Sequence, residues 1–177
     1  MPTTTRVPAT PLGAGRCRAS RTVPFVAKAT GVPVVPAGSI ISLAENLGWN
    51  GNAGFIVTGD GVIVIDTLGT PKLGRRLLAT IASVTDQPVR YVIITHNHPD
   101  HAYGAAPLQQ LEGVTVITHA GMLDYADSQT LQRSVDYRRN ILGGDMQGFA
   151  PVDADVLVKG ERFGKQRIEL GDQVLDI

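Results

Sequence analysis

The run Val89-Arg-Tyr-Val-Ile-Ile94 is almost continuously apolar, and that constrains the fold more than any other stretch of the chain. A strand facing water on one side alternates apolar and polar residues; a strand without that alternation is buried on both faces. The neighbouring segments suit such an arrangement. Ala53–Thr58 and Val62–Asp66 are β-branched, apolar runs separated by Gly59-Asp60-Gly61, which predicts a hairpin. Thr70-Pro71 opens a helix, with threonine as cap and proline at the first position. Leu73, Leu77, Leu78, Ile81 and Val84 supply its apolar face, and Gln87-Pro88 ends it. After Ile94, a short helix is expected over Ala102–Leu111, a strand over Val114–Thr118 and a longer helical region over Met122–Leu142, with Leu131, Val135 and Ile141 inward. Strands follow at Val156–Val158, Arg167–Leu170 and Gln173–Ile177. A further short strand is expected at Ser39–Ala44, before a glycine-rich loop at Glu45–Asn52. Strands come first and then alternate with helices, which predicts a mixed sheet with helices outside it.

At 177 residues the chain has room for one domain with a substantial core. Lysine plus arginine equals aspartate plus glutamate at 16 each. That balance gives no basis for a nucleic-acid groove or an anionic membrane surface. No apolar run approaches the roughly 18–20 residues that span a bilayer. The one cysteine, Cys17, excludes an intramolecular disulfide and a cysteine-cluster metal site; it is read as an incidental thiol. Residues 1–38 carry Arg6, Arg16, Arg18, Arg21 and Lys28 but no acid, the first carboxylate being Glu45. They are treated as a flexible leader, with a composition that also resembles an organelle transit peptide. A cytoplasmic location is the primary expectation, with organelle import as the alternative.

The chemistry is concentrated immediately after the buried strand, in Thr95-His96-Asn97-His98-Pro99-Asp100-His101. Three of the chain's four histidines lie there. Imidazole and carboxylate are the ordinary ligands of zinc and other first-row divalent ions. His96 and His98 are two positions apart, so on locally extended backbone they project to one side and can grip one ion. Asp100 and His101 diverge unless the chain curls, and Pro99, which disfavours helix at His98, promotes such a curl. Ligands just past a buried strand are rigidly held yet open to substrate.

Thr95–His101 resembles the Thr-His-x-His-x-Asp-His signature of the metallo-β-lactamase superfamily, with Gly104 matching a glycine that commonly follows. Val62-Ile-Val-Ile-Asp66-Thr67 resembles that family's strand ending in Asp-Thr. The resemblance covers roughly residues 39–177. It implies an α+β fold, the αββα metallo-β-lactamase sandwich, here truncated to its N-terminal half. It also implies two metal sites, usually zinc: His96 and His98 in the first, Asp100 and His101 in the second. A metal-bound hydroxide would attack a small-molecule substrate, Asp100 would orient or deprotonate that water, and Asp66 would hydrogen-bond a ligand from behind.

The family pattern further requires a third histidine, a bridging aspartate and a last histidine. The remaining histidine, His119, follows a strand where that pattern places no ligand, and is expected to be structural or solvent-exposed. The chain stops at Asp176-Ile177, inside a strand leading toward the missing histidine, which is read as truncation. A half-sandwich would expose apolar faces and strand edges open to self-association. Two alternatives accompany the hydrolase reading. Two histidines and a carboxylate can hold one iron for oxygen chemistry, as in persulfide dioxygenases of the same superfamily; or the chain is an inactive binding module. Fold does not choose among β-lactams, thioesters, phosphodiesters, sulfate esters and lactones. Trp49 is a further residue that could line the cleft.

Overall fold

The structure, a computed structural model, describes residues 27–28, 48, 50–160 and 165–177. The strand expected at Ser39–Ala44, Cys17 and Trp49 lie outside the described residues. Six strands form one sheet in chain order: β1 (Ala27–Lys28), β2 (Gly54–Val57), β3 (Val62–Ile65), β4 (Val89–Ile94), β5 (Thr115–His119) and β6 (Val156–Val158). Only β2 and β3 are antiparallel. Their turn is closed where the Thr58 backbone N–H and hydroxyl both donate to the Gly61 carbonyl, each at 2.9 Å. The other pairs are parallel. Parallel neighbours require crossovers, and helices supply those between β3 and β6. Helix α1 (Pro71–Ala82) joins β3 to β4; α2 (Pro99–Ala102) and α3 (Ala106–Gln109) join β4 to β5. Helices α4 (Gly121–Ala126) and α5 (Gln129–Leu142) precede β6. A separate antiparallel pair, β7 (Arg167–Leu170) and β8 (Gln173–Asp176), follows.

The period-two geometry of a strand divides the sheet residues between two cores. Phe55, Val57, Val62, Val64, Val92, Ile94 and Val116 face the helices, meeting Leu73, Leu77 and Ile81 of α1, Leu108 of α3 and Leu131 and Val135 of α5. Ile56, Ile63, Ile93 and Ile117 project the opposite way and pack against Ile168 of β7, with Leu170 and Leu175 alongside. The apolar run Val89–Ile94 thus has a helical layer on one side and the β7–β8 hairpin on the other. Helices, sheet and hairpin make three layers among the described residues. Strand β1 covers part of one sheet edge, pairing Ala27 and Lys28 with Ile56 and Val57. No helix among the described residues is long and apolar enough to cross a membrane.

Capping sets the helix limits. The buried Thr70 hydroxyl accepts the Leu73 N–H at 3.1 Å, with Pro71 in the first turn; such a cap contributes about 1 kcal/mol. Helix α1 ends at Ala82, so Val84 falls beyond it and is 41% exposed instead of continuing the apolar face. The expected helix at Ala102–Leu111 is two single turns, α2 and α3, divided around Gly104. The first starts earlier than expected, at Pro99 inside the histidine motif. The helical region Met122–Leu142 is also two helices. Ser128 adopts extended backbone and its hydroxyl accepts the Leu131 N–H at 3.1 Å, starting α5 anew. In its last turn Leu142 is buried and Ile141 only partly so.

Leu77 is fully buried between α1 and the sheet. Leu77→Ala should lower the unfolding free energy by about 2–5 kcal/mol, whereas Val84→Ala should change it by no more than about 0.5 kcal/mol. Urea unfolding followed by circular dichroism compares the two.

Candidate functional site

The site is built where β3 and β4 end side by side. Past Ile94 the chain leaves the sheet through Thr95, His96 and Asn97, and His98 keeps extended backbone (φ −68°, ψ 142°). Pro99 accounts for both halves of that bend: it disfavours helix at His98, and its own fixed φ suits the first position of α2. The helical turn carries Asp100 and His101 back toward His96. The His96 ring centroid lies 4.6 Å from that of His98 and 4.1 Å from that of His101. His101 Nε2 lies 3.2 Å from Asp100 Oδ2. The four motif side chains are therefore neighbours on one surface at the sheet's end.

Asp66, buried at the end of β3, ties this cluster to the fold. Its carboxylate accepts the Thr95 N–H at 2.9 Å and lies 2.9 Å from the Thr95 hydroxyl through either oxygen. Its Oδ2 is 2.7 Å from His101 Nδ1. Asp66 and Leu68 both have left-handed backbone, with φ of 58° and 70°. Aspartate tolerates that region; for leucine it is a costly choice, on the order of 1–3 kcal/mol. Hydrogen bonds hold the conformation. The Thr67 N–H and hydroxyl both donate to the His101 carbonyl, at 2.8 and 2.9 Å, and the Gly104 N–H donates to the Leu68 carbonyl at 2.9 Å.

Among the glycines required by close approach, two border the motif directly. A β-carbon at Gly104 would run into the Thr67 carbonyl, and one at Gly51 would run into the Asp100 carbonyl. Behind the motif, the Tyr103 hydroxyl pairs with that of Tyr125 at 2.9 Å, and the Arg138 guanidinium lies over the Tyr103 ring at 5.3 Å. Burial, above all, pushes the Tyr103 phenol far up and the Arg138 guanidinium down. His119 takes no part in the cluster: its Nδ1 accepts the Gly121 N–H at 3.1 Å and its Nε2 donates to the Gly160 carbonyl at 2.8 Å.

Burial, then the neighbouring imidazoles of His101 and His98, hold His96 below the usual histidine range, against the opposing pull of Asp66 and Asp100. A neutral His96 keeps a lone pair for a cation. His101 has a carboxylate oxygen at each ring nitrogen. Two N–H donors would satisfy that arrangement, and so would one N–H toward Asp66 with a metal ion near Nε2. The donor set thus fits a divalent ion in kind. As it stands, no group of three or more His, Cys, Asp or Glu side chains among the described residues is arranged to enclose one.

Residues 47–167 match the family model of the Metallo-beta-lactamase superfamily, and the chain belongs to that superfamily. A metallo-beta-lactamase from Pontibacter korlensis superposes with a TM-score of 0.51 at 22% identity, over 71% of this chain and 46% of that one. The stereoselective inverting sec-alkylsulfatase Pisa1 from Pseudomonas sp. superposes with the same score at 18% identity, over 71% of this chain and 24% of its own. A linear primary-alkylsulfatase of Pseudomonas sp. is 36% identical over 45 residues, which is 25% of this chain and 8% of that protein. The chain therefore spans less than half the length of each of these relatives.

Asp66, His96, His98, Asp100 and His101 were all legible as candidates in the sequence. Thr67, Thr95 and the strained Leu68 were not singled out for what they do here. Thr95 stood inside the motif, and Thr67 directly followed Asp66.

Gly104→Ala should cost about 1–3 kcal/mol through overpacking and displace the turn carrying His101; urea unfolding and the histidine ring resonances report both. The lowered His96 pKa also predicts a pH dependence for the metal-free chain. Between its folded value and 6.5, the unfolded chain binds a proton that the folded chain does not. Stability is therefore complete above that window and falls as pH drops through it. Urea midpoints measured from pH 7.5 downward should show this slope, and His96→Gln should reduce it.

Proposed function

We propose that this chain supplies metal-binding residues of a metal-dependent hydrolase acting on a small-molecule substrate, with His96 and His98 as one pair of ligands and Asp100 and His101 as the other. The observation that carries this reading is the gathering of three imidazoles and a carboxylate at the sheet's end, anchored by the buried Asp66. Membership of the superfamily supports the hydrolase class, and zinc is the first ion to test. Such an ion, when bound, polarises the bond to be cleaved and lowers the pKa of a coordinated water from 15.7 to about 7.

The chain's own groups have separable parts in this. His96 offers a neutral imidazole. Asp66 holds the His101 ring through Nδ1, fixing its orientation and making it a better donor. Asp100 presents a carboxylate oxygen beside His101, where it can orient an attacking water and accept its proton. Alkyl sulfate esters are the first substrate class to test, because two relatives named above are alkylsulfatases.

The test is zinc binding by competition with a chromophoric chelator, together with hydrolysis of an alkyl sulfate by the zinc-loaded chain. Thioester, phosphodiester, lactone and β-lactam probes run in parallel. Each pair gives an ion two protein ligands, where catalytic zinc usually has three. Turnover should therefore be slow, since loosely positioned reactants can cost about a hundredfold in rate. The double variant His96→Ala/His98→Ala should lose both zinc and the residual turnover. Zinc retention unchanged in that variant would overturn the ligand assignment. Preferential iron loading with oxygen uptake would move the reading to an oxidoreductase.

A further inference from the structure

The Thr95 hydroxyl touches three polar atoms. Its Oγ1 lies 2.9 Å from Asp66 Oδ1, 2.9 Å from Asp66 Oδ2 and 2.9 Å from His96 Nδ1. A hydroxyl has one proton and two lone pairs, and an ionised carboxylate only accepts. The hydroxyl proton therefore goes to Asp66. The remaining contact closes only if His96 Nδ1 carries a proton and donates it to Oγ1. In the other tautomer the hydroxyl would have to turn its proton to Nδ1, leaving two oxygens facing each other at 2.9 Å with nothing between them. Two oxygens that approach this closely without a shared proton repel, which favours the first arrangement.

We infer that Thr95 is a positioning residue: it relays the Asp66 carboxylate to His96, locking the imidazole in the Nδ1–H tautomer with its Nε2 lone pair free for a cation. Asp66 acts on His101 directly through Nδ1 at 2.7 Å. One buried carboxylate thereby sets both rings, one through a hydroxyl and one by contact. The spacing makes this possible. Thr95 is the first residue beyond β4, and its N–H is already bound to Asp66 Oδ1 at 2.9 Å, so the side chain is held over the carboxylate by its own backbone. The cation-binding part of the inference rests on the function proposed above; the tautomer part does not.

The experiment uses the full chain, with ring nitrogens read by long-range nitrogen–proton NMR and His96 assigned by the signals lost in His96→Gln. In metal-free wild type and in Thr95→Ser, His96 should carry its proton on Nδ1. Thr95→Val, close in shape but without the hydroxyl, should shift His96 toward the Nε2–H form. It should also weaken zinc binding about 10–100-fold, with Thr95→Ser restoring the affinity. An Nε2–H His96 in the wild type overturns the relay even if the valine variant does not fold, as does a valine variant with unchanged tautomer and affinity. A wild type with the Nδ1–H tautomer that binds no zinc sinks the metal-site reading and leaves the relay standing.

Discussion

The corner of the molecule that carries the histidines depends on the buried carboxylate of Asp66. A carboxylate removed from water costs several kcal/mol unless hydrogen bonds replace its hydration. Here the replacements come from Thr95 and His101, both beyond the end of the neighbouring parallel strand. The bonds that make the charge tolerable are thus the bonds that fix the motif loop to β3. The strand pairing supports the same junction: the Asp66 N–H donates to the Ile93 carbonyl at 2.8 Å, in step with the β3–β4 register of Ile65 against Ile93. Loss of Asp66 would release both the loop and the charge balance at once.

Much of the architecture was legible because the signals that produce it are local. The nearly unbroken apolar character of β4 follows from a helical layer on one face and a hairpin on the other. Thr70-Pro71 marked the start of α1, and Asp60-Gly61 marked the turn between β2 and β3. Boundaries governed by one side chain were harder: Ser128 splits the second helical region, yet serine inside a polar stretch is ambiguous until its hydroxyl is seen to cap Leu131. The connections at the site are another matter. Thr67 bonds residue 101 across 34 positions, and Thr95 bonds residue 66 across 29. No helical or strand periodicity encodes partners brought together by a parallel crossover. The left-handed backbone at Asp66 and Leu68 was hidden for a related reason. Neither position is a glycine, so tertiary bonds alone enforce a conformation the residues would not choose.

The motif turn is gripped from behind as well as from the front. Tyr103, one residue past α2, packs its ring against Phe149 at a centroid distance of 4.8 Å, beneath the Arg138 guanidinium. Arg138 is 9% exposed and donates to the Ser134 hydroxyl at 2.9 Å, while its Nε has no hydrogen-bond partner among the described residues. Burying a guanidinium without a direct ion pair is unfavourable; the charge of Asp100 and the tyrosine face, worth about 2 kcal/mol when desolvated, offset only part of that cost. Helix α5 therefore gives up some stability to hold the base of the histidine cluster. Rotation of the α2 turn is opposed on one side by Thr67 and Gly104 and on the other by this aromatic packing.

Departures from ordinary packing rules are informative because they gather in one place. Left-handed Asp66 and Leu68, the imidazoles of His98 and His101 at 4.6 and 4.1 Å from that of His96, and a buried arginine with no ion pair among the described residues all sit around α2. In the two apolar cores above and below the sheet the strands alternate as period-two geometry requires, and the largest side chains are sealed from water. The imidazoles of His101 and His98 oppose protonation of His96, a conflict that packing alone does not require. A cation bound among them would turn that conflict into attraction, since lone pairs that have no common proton can share a metal ion. Backbone strain of this kind persists only where the surrounding structure over-determines it, as the bonds from Thr67 and Gly104 to the α2 turn and Leu68 do here.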